Sequence, residues 1–243
     1  MTPSNRDRAH AFKLHAEISS DTDPLRCYDG TEVDQVFRFF RDSKNADALA
    51  AGTVWITTLN KCRADETDSG DSEEAYQLYE SGLMHFDVAD RSDPRVARLS
   101  RMGGITIHPG VENVTINGAR GRSRMNDAYV VCTTRRYDPA AMAQTFGEHC
   151  VEIRRPKQFF AAVTRQLALE RPIGAAAIGC VHYASRTVVG MEPVQGVRGF
   201  VKPPVPFEPE QEVRMLWARG SLDPIAPFPL KVPLVSEICT RIA

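Results

Sequence analysis

The densest group of reactive side chains lies near the C-terminus, where residues 210–214 read Glu-Gln-Glu-Val-Arg. In an extended segment alternate side chains point to one face, so Glu210, Glu212 and Arg214 are predicted to project together. Two carboxylates beside one guanidinium can close into an ion network that holds the strand in register. They can also leave one carboxylate able to hold a ribose hydroxyl and stabilise a cationic transition state. The pattern therefore serves either structure or catalysis.

The elements around this segment predict an α+β fold, in which a mixed central sheet carries flanking helices. The composition predicts strands at residues 36–40, 53–58, 128–134, 149–153, 177–183 and 212–218. Capping residues and periodicity predict helices after Asp42-Ser43 and at residues 72–84, 91–101, 139–146 and 157–170.

The length of 243 residues and a hydrophobic content of 42% are sufficient for one domain with a full core. We expect a single α+β domain over residues 34–243. The preceding residues 1–33 are polar and lack a sustained period, so they are predicted to form a loosely packed N-terminal arm.

The charge balance excludes a strong whole-chain attraction to polyanions, since 30 Lys and Arg residues face 31 Asp and Glu residues. No stretch approaches the roughly 18 uncharged apolar residues of a membrane span, which predicts a cytoplasmic protein with no membrane contact. The six cysteines form no CxxC pair, which argues against a zinc site and against a disulfide framework. They are predicted to be mostly buried apolar residues, and no metal ligands are assigned.

A local basic cluster, Arg120, Arg122 and Arg124, could contact phosphate, although such arginines also form ordinary solvated faces. The target of such a surface would be a protein or a nucleic acid. A non-enzymatic binding or effector module with this basic contact patch is therefore one functional hypothesis.

The order of segments over about residues 36–218 resembles the bacterial domain of unknown function 2971. The resemblance is carried by the aromatic strand at residues 36–40, by the strands at 54–58 and 129–134, by Val181-His182-Tyr183, and by Lys202 followed by Glu210, Glu212 and Arg214. Residues 62–66 stand where the family usually has an Asn-Asp-Pro turn. The resemblance implies a role in bacterial defence or as an effector toxin.

A weaker resemblance links the chain to mono-ADP-ribosyltransferases, which place an arginine on an early strand, a Ser or Thr on a middle strand and a Glu-x-Glu pair late in the sequence. It implies an ADP-ribosyltransferase-like fold and NAD as the substrate. The residues matching this order are Glu212 and Glu210 as catalytic residues, with Arg38, Thr57, Thr58, Thr133, Thr134 and Arg214 as NAD-binding residues.

A third hypothesis is a metal-dependent nuclease, because carboxylates can hold a divalent cation that activates water. Its candidate residues are Asp65, Glu66 and Asp68 with Glu212, and His149 or His182 as the proton carrier.

Overall fold

A computed structural model describes residues 32–64, 70–219 and 221–243 of the chain. The architecture is mixed α+β, which confirms the predicted fold class. Two compact units are present: one reaches to Glu74 and includes Asn126–His182 and Val205–Ala243, and the other consists of Ala75–Met125 and Tyr183–Pro204. They are called unit 1 and unit 2 below. Most of the predicted N-terminal arm lies outside the described residues, but Val33 is buried in the core of unit 1.

The strands, in chain order, are β1 (Gln35–Phe40), β2 (Thr53–Thr58), β3 (Tyr76–Glu80), β4 (Leu83–Val88), β5 (Glu112–Asn117), β6 (Arg120–Arg124), β7 (Ala128–Thr134), β8 (His149–Arg154), β9 (Ala175–Cys180), β10 (His182–Tyr183), β11 (Thr187–Val189), β12 (Val201–Lys202), β13 (Glu212–Ala218), β14 (Phe228–Lys231) and β15 (Cys239–Arg241). The α-helices are α1 (Ser43–Ala50), α2 (Leu59–Ala64), α3 (Pro94–Arg98), α4 (Pro139–Thr145) and α5 (Pro156–Glu170), and a short helical turn covers Pro204–Phe207. A π-helical turn covers Leu99–Gly103, and 3-10 turns cover Arg198–Phe200, Glu208–Glu210 and Pro233–Glu237.

Unit 1 is built on an eight-stranded sheet in the order β14-β2-β7-β1-β8-β15, with β13 between β7 and β9. The central strand β7 is almost wholly buried, as its apolar composition predicts. It pairs antiparallel with β13 from Glu212 opposite Thr134 to Ala218 opposite Ala128. On its other edge, β7 pairs with β2 at Tyr129 and Val130, and with β1 at Thr134.

The helices of unit 1 cover the sheet through regularly spaced apolar residues. On α5, Phe159, Val163 and Leu167 recur every four residues and are buried in the core. The carboxylate of Asp42 caps α1 by accepting from the Lys44 backbone N–H at 2.9 Å. Asp138 does the same for α4 through Ala141, which confirms the two helix starts predicted from the sequence.

Unit 2 is small and rich in strands. Its three-stranded sheet has the order β11-β3-β6, and β4 pairs with β5 in a separate two-stranded sheet. Tyr79, Phe86 and Leu99 are among the residues of its apolar core. The helix predicted over residues 72–84 is wrong. Exposed and buried side chains alternate along most of β4, and Gly82, at φ +63°, makes the turn between β3 and β4.

The structure also bears on the sequence predictions about membrane spans and cysteines. Within the described residues, no helix combines the length and the apolarity needed to span a membrane. Cys180 is disulfide-bonded, which the cysteine spacing, read as evidence against a disulfide framework, did not predict.

Candidate functional site

The segment at residues 210–214 is not one continuous strand. Glu210 ends a 3-10 turn, and Gln211 adopts a left-handed conformation with φ +46° before β13 begins at Glu212. The Gln211 side chain accepts hydrogen bonds from the Arg135 guanidinium and donates to the Glu208 carbonyl at 2.8 Å, which stabilises this turn. Because the turn interrupts the alternation, the prediction that Glu210 projects with Glu212 and Arg214 from one strand is wrong.

Glu212 and Arg214 do lie together, and a third residue joins them. The Arg214 guanidinium donates from Nε to Oε1 of Glu212 at 2.7 Å and from Nη2 to Oε2 at 3.0 Å. It also donates from Nη1 to Oε1 of Glu74 at 2.7 Å and from Nη2 to Oε2 at 3.0 Å. The two carboxylates are thus held in bidentate contact by one guanidinium. We call this set the Glu74–Arg214–Glu212 network.

The network is buried within unit 1. The side chains of Arg214, Glu74 and Glu212 are 1%, 2% and 4% exposed. Burial alone would lower the pKa of Arg214, but the charges of Glu212 and Glu74 outweigh it and raise that pKa well above its ordinary value. Arg214 is therefore held permanently cationic, and each oxygen of the Glu212 carboxylate accepts a charge-assisted hydrogen bond.

Arg38 occupies different surroundings in the same unit. Its Nη2 donates to the Trp55 carbonyl at 3.0 Å, and its guanidinium lies 5.2 Å from the Phe40 ring centroid. The Nη1 atom is buried without a hydrogen-bond partner among the described residues. Burial lowers the pKa of Arg38 to about 10, and the Cys132 and Cys239 thiols oppose that shift.

Strand register shows which predicted site residues share a face of the sheet. Thr134 lies opposite Glu212, and Thr57 lies opposite Val130. Val130 and Thr134 are four positions apart on β7, so their side chains point to the same face. Thr57, Thr134 and Glu212 therefore share one face.

Phe37 is paired with Thr134, and Arg38 is the next residue along β1. Arg38 therefore points to the opposite face, as do Thr58 and Thr133. The set predicted to bind NAD is thus divided between two faces.

The threonine hydroxyls in this set also have local partners. Thr133 Oγ1 donates to the Val213 carbonyl at 2.8 Å across the strands. Thr58 Oγ1 accepts from the Lys61 backbone N–H at 3.2 Å, which caps α2. Thr134 Oγ1 accepts from the Arg136 backbone N–H at 3.0 Å. In these three residues the hydroxyl stabilises a strand pair, a helix start and a turn.

Glu74 and Cys132 were not among the site residues predicted from the sequence. Glu74 is 140 positions from Arg214, inside a run of acidic residues that has the composition of a solvated loop. Cys132 lies opposite Arg214 in the pairing of β7 with β13, on the face that carries the network. No local sequence pattern predicts either contact, because both depend on tertiary packing.

The basic cluster forms a row on unit 2. Arg120, Arg122 and Arg124 alternate along the edge strand β6 and lie opposite Glu80, Leu78 and Tyr76 of β3. All three arginines are exposed. The Arg122 guanidinium lies 4.1 Å from the Tyr76 ring centroid, and Arg120 Nε is 3.0 Å from an oxygen of Glu80.

Gly121 explains why the arginines face outward. It lies on the opposite face of β6, where an added Cβ would be 1.8 Å from the Met102 carbonyl oxygen. This close approach fixes the inner face of β6 against the π-helical turn. The outer face, with its row of arginines about 6.8 Å apart, is left toward solvent. We call these three residues and Tyr76 the arginine row.

The metal hypothesis gains no site from the described residues. Asp65, Glu66 and Asp68 lie outside them. No group of three or more His, Cys, Asp and Glu side chains within the described ranges is arranged to hold a metal ion. His149 Nδ1 lies 3.1 Å from Nη2 of Arg241, on the other edge of the sheet from β13.

Comparison with family models, with curated proteins and with solved structures yields no match for this chain. The resemblance to domain of unknown function 2971 and the NAD-dependent transferase chemistry therefore stay predictions.

Proposed function

We propose that the chain is a binding module that holds a single-stranded nucleic acid on the arginine row of unit 2. The observation that carries this proposal is the exposed alternation of Arg120, Arg122 and Arg124 on one sheet face, with an aromatic ring beneath the central guanidinium. A nucleic-acid strand presents phosphates in a row, and planar guanidiniums can bind phosphate oxygens bidentately.

The charge distribution supports a polyanionic ligand. Unit 2 contains ten Arg and Lys residues and six Asp and Glu residues, which gives a net charge of +4, whereas the whole chain has a net charge of −1. A positive unit within a nearly neutral chain concentrates the attraction on one surface. The ion pair between Glu80 and Arg120 joins side chains that are 43% and 79% exposed, so an anion can replace Glu80 at little cost in free energy.

The shape of the surface favours a single strand over a duplex. The row lies on a three-stranded sheet, which is wider than the helix or two-stranded ribbon that enters a major groove. Sheet faces with aromatic and arginine side chains bind unstacked bases by stacking while basic residues follow the backbone. Tyr76 with Arg122 supplies such a stacked pair, and Arg120 and Arg124 flank it.

The test is fluorescence anisotropy with a labelled oligo(dT) about 12 nucleotides long, a length within the range that such surfaces cover. We expect binding to weaken with salt, with a slope of log K against log salt near −2, since each single-strand phosphate contact contributes about −0.7. The variant in which Arg120, Arg122 and Arg124 are all Gln should lose most of this slope and most of the affinity.

The matched control replaces Arg154, Arg155 and Arg165 by Gln. These arginines are exposed on unit 1, and replacing them removes the same charge from the chain. If both triple variants bind equally well, the arginine row is not the contact surface. Tighter binding of a duplex of the same length would also contradict the single-strand proposal.

A further inference from the structure

Unit 1 contains a cavity that shares no lining residue with the arginine row or with the Glu74–Arg214–Glu212 network. Its volume is about 310 Å³. The lining includes two arginines, Arg171 and Arg219, two aromatic residues, Tyr129 and Phe228, and the apolar residues 224–227. Small-molecule sites occupy roughly 300–1,000 Å³, so the cavity has room for one small ligand and not for a polymer.

Arg219 directly follows β13, and only 10% of its side chain is exposed. Its Nη1 donates to the Asp223 carbonyl oxygen at 3.1 Å, and its Nη2 lies 3.7 Å from an oxygen of the Asp223 carboxylate. That carboxylate is 79% exposed, so water weakens its attraction for the guanidinium. The Nε atom of Arg219 is buried without a hydrogen-bond partner among the described residues. Arg219 therefore lines the cavity as a buried cation with an unsatisfied N–H group.

Arg171 supplies a second positive charge from the end of α5. Its Nη1 donates to the Glu170 carbonyl oxygen at 2.9 Å, and its guanidinium carbon lies 4.8 Å from the Phe228 ring centroid. Tyr129 meets the same ring edge-on, with the two centroids 5.6 Å apart and an interplanar angle of 76°. These contacts place flat aromatic surfaces beside the cation.

The lining is positively charged and held in place by the backbone. It contains two guanidiniums and no Asp or Glu side chain, so it attracts an anion. Tyr129 and Phe228 lie on β7 and β14, which both pair with β2, and this pairing fixes the positions of their rings. Pro224 and Pro227 restrict φ in the segment that joins β13 to β14. A wall that is ordered before the ligand arrives loses little conformational entropy on binding.

We propose that this cavity binds a nucleoside monophosphate, with the phosphate between Arg171 and Arg219 and the base against Phe228 and residues 224–227. A phosphate monoester carries a charge of about −1.5 to −2 near pH 7, which matches two guanidiniums more closely than a single carboxylate does. Bases stack on aromatic rings, and the adjoining apolar residues exclude water from the base. The proposal concerns unit 1 alone and does not rest on nucleic-acid binding by the arginine row.

Isothermal titration calorimetry of the full chain with AMP tests the proposal, and adenosine and inorganic phosphate are the partial ligands. We expect one AMP per chain, bound at least about tenfold more tightly than either partial ligand, because only AMP uses both the guanidiniums and the rings. Inorganic phosphate that binds as tightly as AMP would show that the base makes no contact and would overturn the proposal. Adenosine that binds as tightly as AMP would contradict the role of the two arginines.

Two variants test the guanidiniums separately. Arg171 is exposed, so Arg171→Gln should leave the fold intact and weaken AMP binding by about tenfold. Arg219→Met should weaken it by a similar factor. The matched control is Arg165→Gln, which removes the same charge from an exposed position on α5 and should leave the affinity nearly unchanged. Because Arg171→Gln does not alter a buried side chain, the test holds even if Arg219→Met folds poorly.

Three further results would overturn the proposal. Loss of AMP binding in the variant with Gln at positions 120, 122 and 124 would place the site on unit 2. Equal weakening by Arg165→Gln and Arg171→Gln would show that AMP responds only to the net charge of the chain. No binding at AMP concentrations up to about 1 mM, the upper end of typical KM values for small substrates, would show that the cavity does not accept this ligand.

Discussion

The Glu74–Arg214–Glu212 network and the arginine row place the same type of side chain in opposite surroundings. In unit 1, Arg214 is 1% exposed and its guanidinium is held by the carboxylates of Glu74 and Glu212. In unit 2, Arg120, Arg122 and Arg124 are exposed along one edge strand. Residue type alone therefore does not separate a structural arginine from a binding one.

The difference in burial and pairing indicates which arginines are available to bind a ligand. A carboxylate whose two oxygens both accept from a buried guanidinium must lose those bonds before it can bind a ligand, and breaking such a pair is costly. An exposed guanidinium over a tyrosine ring keeps an accessible plane and loses little when an anion arrives. The network accordingly supports the fold of unit 1, and the arginine row is the better candidate for binding.

The largest expected effect comes from Glu212→Gln. The change removes one charge and turns an amide donor toward Arg214, so a buried guanidinium loses half of its carboxylate contacts. We expect a loss of about 3–5 kcal/mol in the free energy of unfolding, measured by urea denaturation.

The matched control for this change is Glu208→Gln, because Glu208 is exposed near the same strand and should alter stability by less than about 0.5 kcal/mol. Nicotinamide release from NAD should be measured in parallel. A Glu212→Gln protein that unfolds like the wild type, yet has lost a wild-type nicotinamide release, would contradict the structural role and support transferase chemistry.

Arg38→Met should have the opposite sign. Arg38 is half-buried, and its Nη1 atom is buried without a partner among the described residues, so replacing it by an apolar side chain of similar length should raise stability by about 1 kcal/mol. Arg214→Met, by contrast, should destabilise the protein, because it leaves two buried carboxylates without their cation. Equal signs for the two changes would show that burial alone, and not pairing, decides the outcome.

The gain from Arg38→Met should depend on pH. Because the pKa of Arg38 is lowered to about 10 in the folded protein, the folded chain releases this proton before the unfolded chain does. Wild-type stability should therefore gain from this group as pH rises above about 10, and the advantage of the variant should shrink there. Thermal melting of both proteins at about pH 8 and at about pH 11, below and above the pKa of about 10, measures this difference.

Gly121→Ala should have an intermediate effect. The added methyl group would meet the Met102 carbonyl oxygen at 1.8 Å, so β6 must shift, at a cost of about 1–3 kcal/mol. Ser123→Ala, on the same face of β6 but exposed, is the control. If Gly121→Ala melts like wild type, β6 does not pack as described and the outward direction of the arginines is in doubt.

Local patterns predicted much of unit 1. The β-branched and aromatic composition of residues 53–58 and the apolar run at 128–134 correctly indicated strands, and Asp138-Pro139 correctly indicated a helix start. The prediction failed at residues 72–84, which contain β3 and the start of β4. The turn at Gly82 and the pairing of β3 with β6 determine the structure of this segment, and the pairing cannot be inferred from local sequence.

The candidate site was harder to predict because it depends on contacts distant in sequence. The pairing of Glu212 with Arg214 is local and was anticipated as the structural alternative. Glu74 reaches Arg214 only in the folded chain, where Arg63 of α2 donates to its carbonyl oxygen. The turn at Gln211 depends on Arg135, 76 positions away, so the exclusion of Glu210 from the strand could not be inferred locally.

The smallest expected effect is also the sharpest test of the arginine row. Glu80→Gln removes the carboxylate that contacts Arg120 on the outer face, so it should strengthen oligonucleotide binding rather than weaken it. An exposed pair is worth about 0.2–1 kcal/mol, which corresponds to a roughly 1.4- to 5-fold gain in affinity. Glu112→Gln removes the same charge from an exposed site on β5 and controls for the general field. Equal gains from both variants would mean that the oligonucleotide responds to the net charge of the protein and not to a contact with this row.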